Sequence, residues 1–125
     1  MYDFSLNSDH KGLVSWPSLE EEGAKNIEGN PQQSARCDFG SFQHNMISGV
    51  WECTKGKFLL EYPCHEMATI LEGKIALTDD SGIRREYGPG DSHFAEKGEN
   101  ILWEVLTEKV VKAFFLSFND QRELS

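Results

Sequence analysis

The chain has 125 residues, a length typical of one domain, and its apolar (38%) and aromatic (11%) contents are too high for a disordered protein. It contains 12 Lys and Arg residues and 21 Asp and Glu residues, which give a formal net charge of -9. An acidic surface repels phosphate backbones and anionic lipid headgroups, so we expect neither nucleic acid nor a membrane as a partner. No apolar run approaches the roughly 20 residues that a membrane helix needs.

The N-terminal residues and the cysteines indicate the cellular compartment in which we expect the protein. No basic start followed by an apolar stretch and a small-residue cleavage site is present, so the sequence predicts no secretion signal. Cys37, Cys53 and Cys64 cannot all pair with one another, and none belongs to a Cys-x-x-Cys motif. We therefore expect three reduced thiols and a cytoplasmic location.

Residues 1–28 are predicted to form an N-terminal arm. An apolar stretch over residues 12–16 ends at Pro17, and residues 18–22 are typical of a single helical turn with acidic residues in its first turn. Residues 26–33 contain Gly, Asn and Pro and predict a loop.

From residue 46 onward, short β-type runs alternate with turn signals. The runs span residues 47–53, 57–62, 66–71, 74–78, 83–87, 92–94, 101–106 and 110–118. Alternation at period two places Phe58, Leu60 and Tyr62 on one face of a strand, and Ile101, Trp103 and Val105 on one face of another. Many short strands with almost no helix predict an all-β fold, a single antiparallel jelly-roll barrel.

Several motifs resemble the small single-domain cupins related to (S)-ureidoglycine aminohydrolase. They are, in chain order, GNPQQ from residue 29, GVWECTKGKF from 49, EMATILEG from 66, LTDDSG from 77, YGPGD from 87 and WEVLT from 103. The resemblance implies a cupin domain over residues 29–125. It also implies a homodimer formed by exchange of N-terminal strands, for which the apolar stretch of the arm is suited.

The metal-binding pattern of this family is only partly present. The resemblance places four ligand positions at Leu60, Tyr62, Glu66 and Ile101, with Leu59 and Glu61 in place of the first two if the motif has its longer gap. In either case two of the four side chains are aliphatic and ligate no metal. The sequence therefore predicts no tightly bound cofactor. The alternative is a divalent transition metal (Mn, Fe, Ni or Zn) held by Glu66 together with His93.

Tyr62 and Glu66 are the candidate catalytic residues. In a cupin they would face each other across the barrel interior, as an acid–base pair or a ligand clamp, or as a structural hydrogen bond. The predicted ligand pocket consists of Phe58, Leu60, Tyr62, Glu66, Ile101 and Trp103, and an aromatic core is the alternative interpretation of its apolar members. The neighbours Cys64 and His65 are not predicted to act as a nucleophile and base, since adjacent strand residues point to opposite faces.

Two functions are compatible with these residues. The missing imidazoles favour a metal-free cupin that binds a small polar metabolite. The alternative is an enzyme, either metal-dependent or acid–base, such as an aminohydrolase, isomerase or lyase, that acts on a small nitrogenous or hydroxylated compound.

Overall fold

The computed structural model describes residues 1–6 and 10–119, and its regular structure is almost entirely β. The strands are β1 (Val14–Ser15), β2 (Lys25–Gly29), β3 (Gln33–Ser41), β4 (Met46–Glu61), β5 (His65–Glu72), β6 (Ile75–Thr78), β7 (Arg84–Tyr87), β8 (Ser92–Ala95) and β9 (Asn100–Ser117). A 3-10 turn, η1 (Phe42–His44), precedes β4. All the described pairings are antiparallel, which confirms the predicted fold class. No helix within the described residues is long and apolar enough to span a membrane.

Two long strands, β4 and β9, pass through both sheets of the barrel. Sheet I has the order β1-β3-β4-β9-β5-β8 and uses the first half of β4 and the second half of β9. Sheet II joins β2 to the second half of β4, then the first half of β9, then β6 and β7. Because both long strands cross between the sheets, the inward side chains of the two sheets meet in one core.

Three sequence predictions of strand boundaries are wrong. Residues 47–53 and 57–62 belong to one strand, because β4 continues through Lys55 and Gly56 without a turn, and the register shift opposite them has its extra residues on β9, between Val105 and Lys109. Residues 101–106 and 110–118 likewise form the single strand β9. The loop predicted over residues 26–33 contains most of β2, an edge strand that is exposed along its whole length and so shows no apolar alternation.

The N-terminal arm packs on the barrel of its own chain. β1 pairs with β3, and β2 pairs with β4. The predicted turn is present and is capped reciprocally, since the Ser18 amide donates to the Glu21 carboxylate at 3.0 Å and the Glu21 amide donates to the Ser18 hydroxyl at 3.2 Å. This turn directs Leu19 into the core, where it is 8% exposed, and Trp16 packs edge-on against Phe114. The arm therefore covers one end of the space between the sheets.

Candidate functional site

A cavity of about 110 Å³ lies between the two sheets, under the N-terminal arm. Its walls are mostly apolar and aromatic, as in most small-molecule sites. The side chains that line it include Trp16 and Leu19 from the arm, Trp51, Phe58 and Leu60 from β4, Tyr62 and Cys64 from the following turn, Glu66 from β5, and Trp103, Lys112, Phe114 and Leu116 from β9.

Five of the six predicted pocket residues line this cavity, namely Phe58, Leu60, Tyr62, Glu66 and Trp103. The sixth, Ile101, lines a separate cavity of about 90 Å³. Tyr62 lines both cavities, so its ring lies between them.

Tyr62 and Glu66 meet inside the barrel, as the sequence suggested they would. The Tyr62 hydroxyl donates a hydrogen bond to Glu66 Oε1 at 3.0 Å and accepts one from the Trp103 indole N–H at 3.1 Å. Burial, and then the nearby Glu66 carboxylate, raise the pKa of Tyr62 well above its ordinary value. The phenol therefore keeps its proton and acts as a hydrogen-bond donor to the carboxylate.

Lys112 is the site residue that the sequence analysis missed. Its ammonium lies 2.9 Å from Glu66 Oε2 and 3.1 Å from Oε1, and the side chains of the pair are 7% and 6% exposed. The same nitrogen lies 4.3 Å from the centroid of the Trp51 ring and 4.5 Å from that of Trp103, which adds a cation–π contact on two sides. A buried cation is thus held by one carboxylate and two indoles.

A signal for Lys112 was present in the sequence. Alternate residues of β9 point inward, and Val110, Lys112, Phe114 and Leu116 occupy that face. A lysine in an apolar inward series is a buried charge, which requires a partner of opposite sign. Glu66, which the cupin motif places in the barrel interior, is that partner.

Gln33 connects the arm to the cavity wall. Its side-chain carbonyl accepts a hydrogen bond from the Trp51 indole N–H at 2.8 Å, and its amide donates to the Pro17 carbonyl at 2.8 Å and to Glu22 Oε1 at 2.9 Å. Burial raises the pKa of Glu22, whose carboxylate lies at the cavity mouth. Gln33 therefore links Pro17 and Glu22 of the arm to Trp51 in the cavity wall by hydrogen bonds.

Sequence comparison decides the family. The profile of the EutQ-like cupin domain matches residues 40–114, more than half of the chain. The chain belongs to this family. Its nine antiparallel strands are accordingly a cupin jelly roll, and the protein is a cupin-domain protein. No curated protein matches the sequence.

Solved structures share the fold. A protein of unknown function from Pseudomonas syringae pv. tomato superposes with a TM-score of 0.74 at 22% identity, over 84% of this chain and 44% of its own, so this cupin spans less than half of its length. The Clostridium difficile EutQ protein gives 0.60 at 16% identity, over 73% of this chain and 71% of its own. A putative ethanolamine utilization protein from Salmonella typhimurium gives 0.55 at 15%, over 88% and 97%. At such identities the likeness shows the fold alone.

The donors at the cupin ligand positions do not fit a divalent transition metal. Leu60 and Ile101 offer no donor atom, and the Tyr62 phenol resists ionisation. The Lys112 ammonium already lies against the Glu66 carboxylate. Within residues 1–6 and 10–119, no three His, Cys, Asp or Glu side chains converge as a metal site would require. The alternative ligand of the sequence analysis, His93, lines the second cavity and not the one that Glu66 lines.

Cys64 and His65 diverge, as strand alternation predicts. Cys64 is 3% exposed and lines the cavity, whereas His65 is half-buried outside it, where Nδ1 accepts a hydrogen bond from the Lys97 amide at 3.0 Å. Burial and then the Glu66 charge raise the pKa of Cys64 to about 11. The thiol is therefore protonated near neutral pH and is a weak nucleophile.

His93 makes the stability of this cupin depend on pH. The ring is 9% exposed, packs against Tyr87 and Trp103, and has no hydrogen-bond partner at Nε2 among the described residues. Burial, and then the Lys112 charge, lower the pKa of His93 from 6.5 to about 4, while the Glu66 charge opposes this shift. Between these pH values the unfolded chain binds a proton that the folded chain does not, so stability falls as the pH falls from 6.5 to 4.

We expect this contribution to reach about 3 kcal/mol at pH 4, from the size of the shift and 1.36 kcal/mol per pKa unit. Urea unfolding of the parent and of His93→Leu, repeated from pH 7 to pH 4, isolates it as the difference between the two curves. The parent should lose stability relative to His93→Leu as the pH decreases. Curves that stay parallel over this range would contradict the assignment.

Proposed function

We propose that this cupin binds a small polar metabolite in the cavity between its sheets, and that it does so without a transition metal. The observation that carries the proposal is the buried Lys112–Glu66 pair on the wall of an otherwise aromatic cavity. In a metal-dependent cupin the metal offers a ligand positive charge. In this cupin the buried Lys112 ammonium would offer the ligand that positive charge instead.

The unused hydrogen-bonding capacity of the pair suggests the chemistry of the ligand. An ammonium has three N–H groups, and the two contacts of Lys112 with Glu66 leave one for an acceptor on the ligand. Glu66 Oε1 accepts from both Tyr62 and Lys112, so Oε2 has more capacity left for a donor on the ligand. A compound with an acceptor beside a donor fits best, such as an amide, a urea, an amino alcohol or a hydroxy acid.

The size of the cavity limits the ligand. A cavity of about 150 Å³ accommodates benzene, and this one measures about 110 Å³. The buried part of the ligand is therefore at most about six non-hydrogen atoms in size. Its apolar side would contact the aromatic walls, and a longer ligand would extend past the arm.

The three tryptophans of the chain provide a direct test, because Trp16, Trp51 and Trp103 all line the cavity. In a ¹⁵N NMR spectrum each gives one indole N–H signal. We would screen small amides, ureas, amino alcohols and hydroxy acids for compounds that shift these signals. We expect hits that shift the Trp51 and Trp103 signals in a saturable manner.

Variants test whether a compound found in this way binds at the Lys112–Glu66 pair. Tyr62→Phe and Glu66→Gln should each weaken binding at least about tenfold, since each alters a hydrogen bond in a desolvated site. The control is Lys109→Met, which changes an exposed lysine of β9, the strand that also carries Lys112. This variant should leave the affinity unchanged. If no compound shifts an indole signal, or if Glu66→Gln binds the hit equally well, the proposal is wrong.

An acid–base enzyme is the second candidate, because Tyr62 and Lys112 converge on one carboxylate oxygen. The reaction classes open to such an enzyme are those of an aminohydrolase, an isomerase or a lyase acting on a small nitrogenous or hydroxylated compound. Since Tyr62 keeps its proton, Glu66 would have to exchange the proton with the substrate. This candidate would be favoured if the parent protein chemically converted a compound that it binds and the Glu66→Gln variant did not.

We also propose that this cupin acts in the cytoplasm. Cys37, Cys53 and Cys64 are all free thiols, and Cys53 and Cys64 are buried. Three unpaired thiols in a chain of this size suit a reducing compartment.

A further inference from the structure

The N-terminal arm forms one end of the ligand cavity, and that end carries a carboxylate. Residues 18–22 form a single helical turn, in which residues three apart lie on the same side. Leu19 and Glu22 are such a pair, and both line the cavity, whereas Glu20 and Glu21 do not. Of three successive glutamates, the turn therefore directs only Glu22 toward a ligand.

A buried amide holds Glu22 in this position. The Gln33 side chain, 7% exposed, donates from Nε2 to Glu22 Oε1 at 2.9 Å and to the Pro17 carbonyl at 2.8 Å. Its own carbonyl accepts from the Trp51 indole N–H, which fixes the orientation of the amide. Because both acceptors bind one nitrogen, a carboxylate and a carbonyl oxygen lie close together at the mouth of the cavity, where Trp16 also forms part of the wall.

No cation compensates the Glu22 carboxylate. Within residues 1–6 and 10–119, no Lys, Arg or His side chain forms an ion pair with it. Burial raises the pKa of Glu22, the Gln33 hydrogen bond lowers it, and the like charge of Glu21 raises it again. Glu22 is nevertheless within reach of a ligand, because the residue is exposed to solvent and also lines the cavity. A cation at this position would stabilise the ionised carboxyl group.

The charges on the cavity wall leave one negative charge uncompensated. The ionisable side chains that line the cavity are Glu22, Glu66 and Lys112, together with Tyr62 and Cys64, which keep their protons. Glu66 and Lys112 neutralise each other in the buried part, so Glu22 at the mouth carries the remaining charge. The net charge of -9 of the whole chain adds a field that attracts small cations and repels anions.

We propose that the cavity selects ligands with an ammonium group at one end and a neutral polar group, such as an amide, at the other. This selectivity rests on the proposed function, because it concerns the same cavity. The neutral group would bind at the Lys112–Glu66 pair, and the ammonium group would lie at the mouth beside Glu22 and Trp16. Carboxylates attract an ammonium group through charge-assisted hydrogen bonds, and indole faces attract it through cation–π contacts.

The same charges disfavour hydroxy acids. A carboxylate on the ligand would lie near Glu22 at the mouth or near Glu66 in the buried part of the cavity. Like charges repel more strongly in a poorly hydrated site than in water. Of the compounds that the Lys112–Glu66 pair alone admits, those with an additional ammonium group therefore fit, and hydroxy acids do not.

Matched pairs of amides test the selectivity, because replacing a methyl group by an ammonium group changes the charge and little of the shape. Glycinamide is paired with propionamide and β-alaninamide with butanamide, and malonamate serves as an anionic amide. Affinities are measured from the indole N–H signals near neutral pH and at low ionic strength. In at least one pair we expect the ammonium compound to bind about tenfold more tightly than its methyl counterpart. Malonamate should bind more weakly than either.

Two variants assign the preference to Glu22. Glu22→Gln removes the charge but keeps an acceptor for the Gln33 amide, so it should bind both members of a pair equally and the methyl member as the parent does. The control is Glu20→Gln, which removes the same charge from an exposed residue of the same turn that does not line the cavity. This variant should retain the tenfold preference of the parent.

The possible outcomes distinguish a failure of the selectivity from a failure of the proposed function. Equal affinities in both pairs, binding of neutral or anionic compounds only, or a preference that survives in Glu22→Gln would overturn the selectivity. Each of these results would leave the binding of a small polar metabolite intact. If no compound of any class shifts an indole signal, both proposals are wrong.

Discussion

Replacing Lys112 by Met is expected to lower the free energy of unfolding by about 3–5 kcal/mol, the usual cost of leaving a buried charge without its partner. The Glu66 side chain is only 6% exposed, so bulk solvent hydrates the carboxylate poorly once the ammonium is lost. The Tyr62 hydroxyl remains as a single donor to the carboxylate. Met preserves the length and apolar volume of the lysine stem, so the loss reports the charge and not a cavity.

Lys109→Met is the matched control. This lysine is on the same strand, 46% exposed, and pairs with Glu52 at 3.4 Å and Glu72 at 3.7 Å. Exposed pairs contribute about 0–1 kcal/mol, so the control should lose less than about 1 kcal/mol. Urea unfolding measures both variants.

A double-mutant cycle then measures the coupling free energy between Lys112 and Glu66. In Lys112→Met with Glu66→Gln the buried carboxylate is gone, and most of the stability lost by Lys112→Met should return. If the two single losses simply add in the double variant, the two side chains are not coupled. A loss below about 1 kcal/mol for Lys112→Met would likewise contradict a desolvated pair.

Trp103→Ala is the other substitution with a large expected effect, about 3–5 kcal/mol of stability. The indole is 1% exposed, stacks on Phe58 with ring centroids 5.9 Å apart, and meets Trp51 edge-on at 5.5 Å. It also donates to Tyr62 and contacts Lys112. Its removal leaves a void next to the ligand cavity and takes one aromatic face from the buried ammonium.

Trp103→Phe separates packing from polar contacts. The smaller ring keeps the stack on Phe58 but loses the indole N–H bond to Tyr62. We expect a loss of about 1–2 kcal/mol for this variant, well below that of Trp103→Ala. Both are measured by denaturant unfolding. Equal losses would show that the hydrogen bond, and not the packing, carries the contribution of this residue.

The sequence predicts the parts of the fold in which one face is apolar and the other polar. Strands bounded by clear turn signals are predicted as well, and the predicted ranges of β5 and β8 agree with the structure within one residue at each end. β2 does not alternate because all of its residues are exposed. Lys55 and Gly56 resemble a turn because Gly is a common turn residue, and only their position between β2 and β9 shows that β4 continues through them.

The candidate site was predictable only where a motif frame fixed a residue. The cupin motif places Glu66 and Tyr62 in the interior, where the two side chains form a hydrogen bond. Lys112 was missed because a lysine near the end of an apolar strand is commonly solvated, and its burial depends on the arm and on sheet II closing over it. The role of Gln33 arises from contacts with the arm that no local pattern indicates.

If the Lys112 ammonium takes the place of a metal beside Glu66, the protein should retain no transition metal. Elemental analysis measures this on the untagged protein, purified without chelator and dialysed against Mn, Fe, Ni and Zn salts in turn. We expect far less than one metal ion per chain in every case. One ion per chain that is retained through dialysis and lost in Glu66→Gln would contradict the proposed role of Lys112.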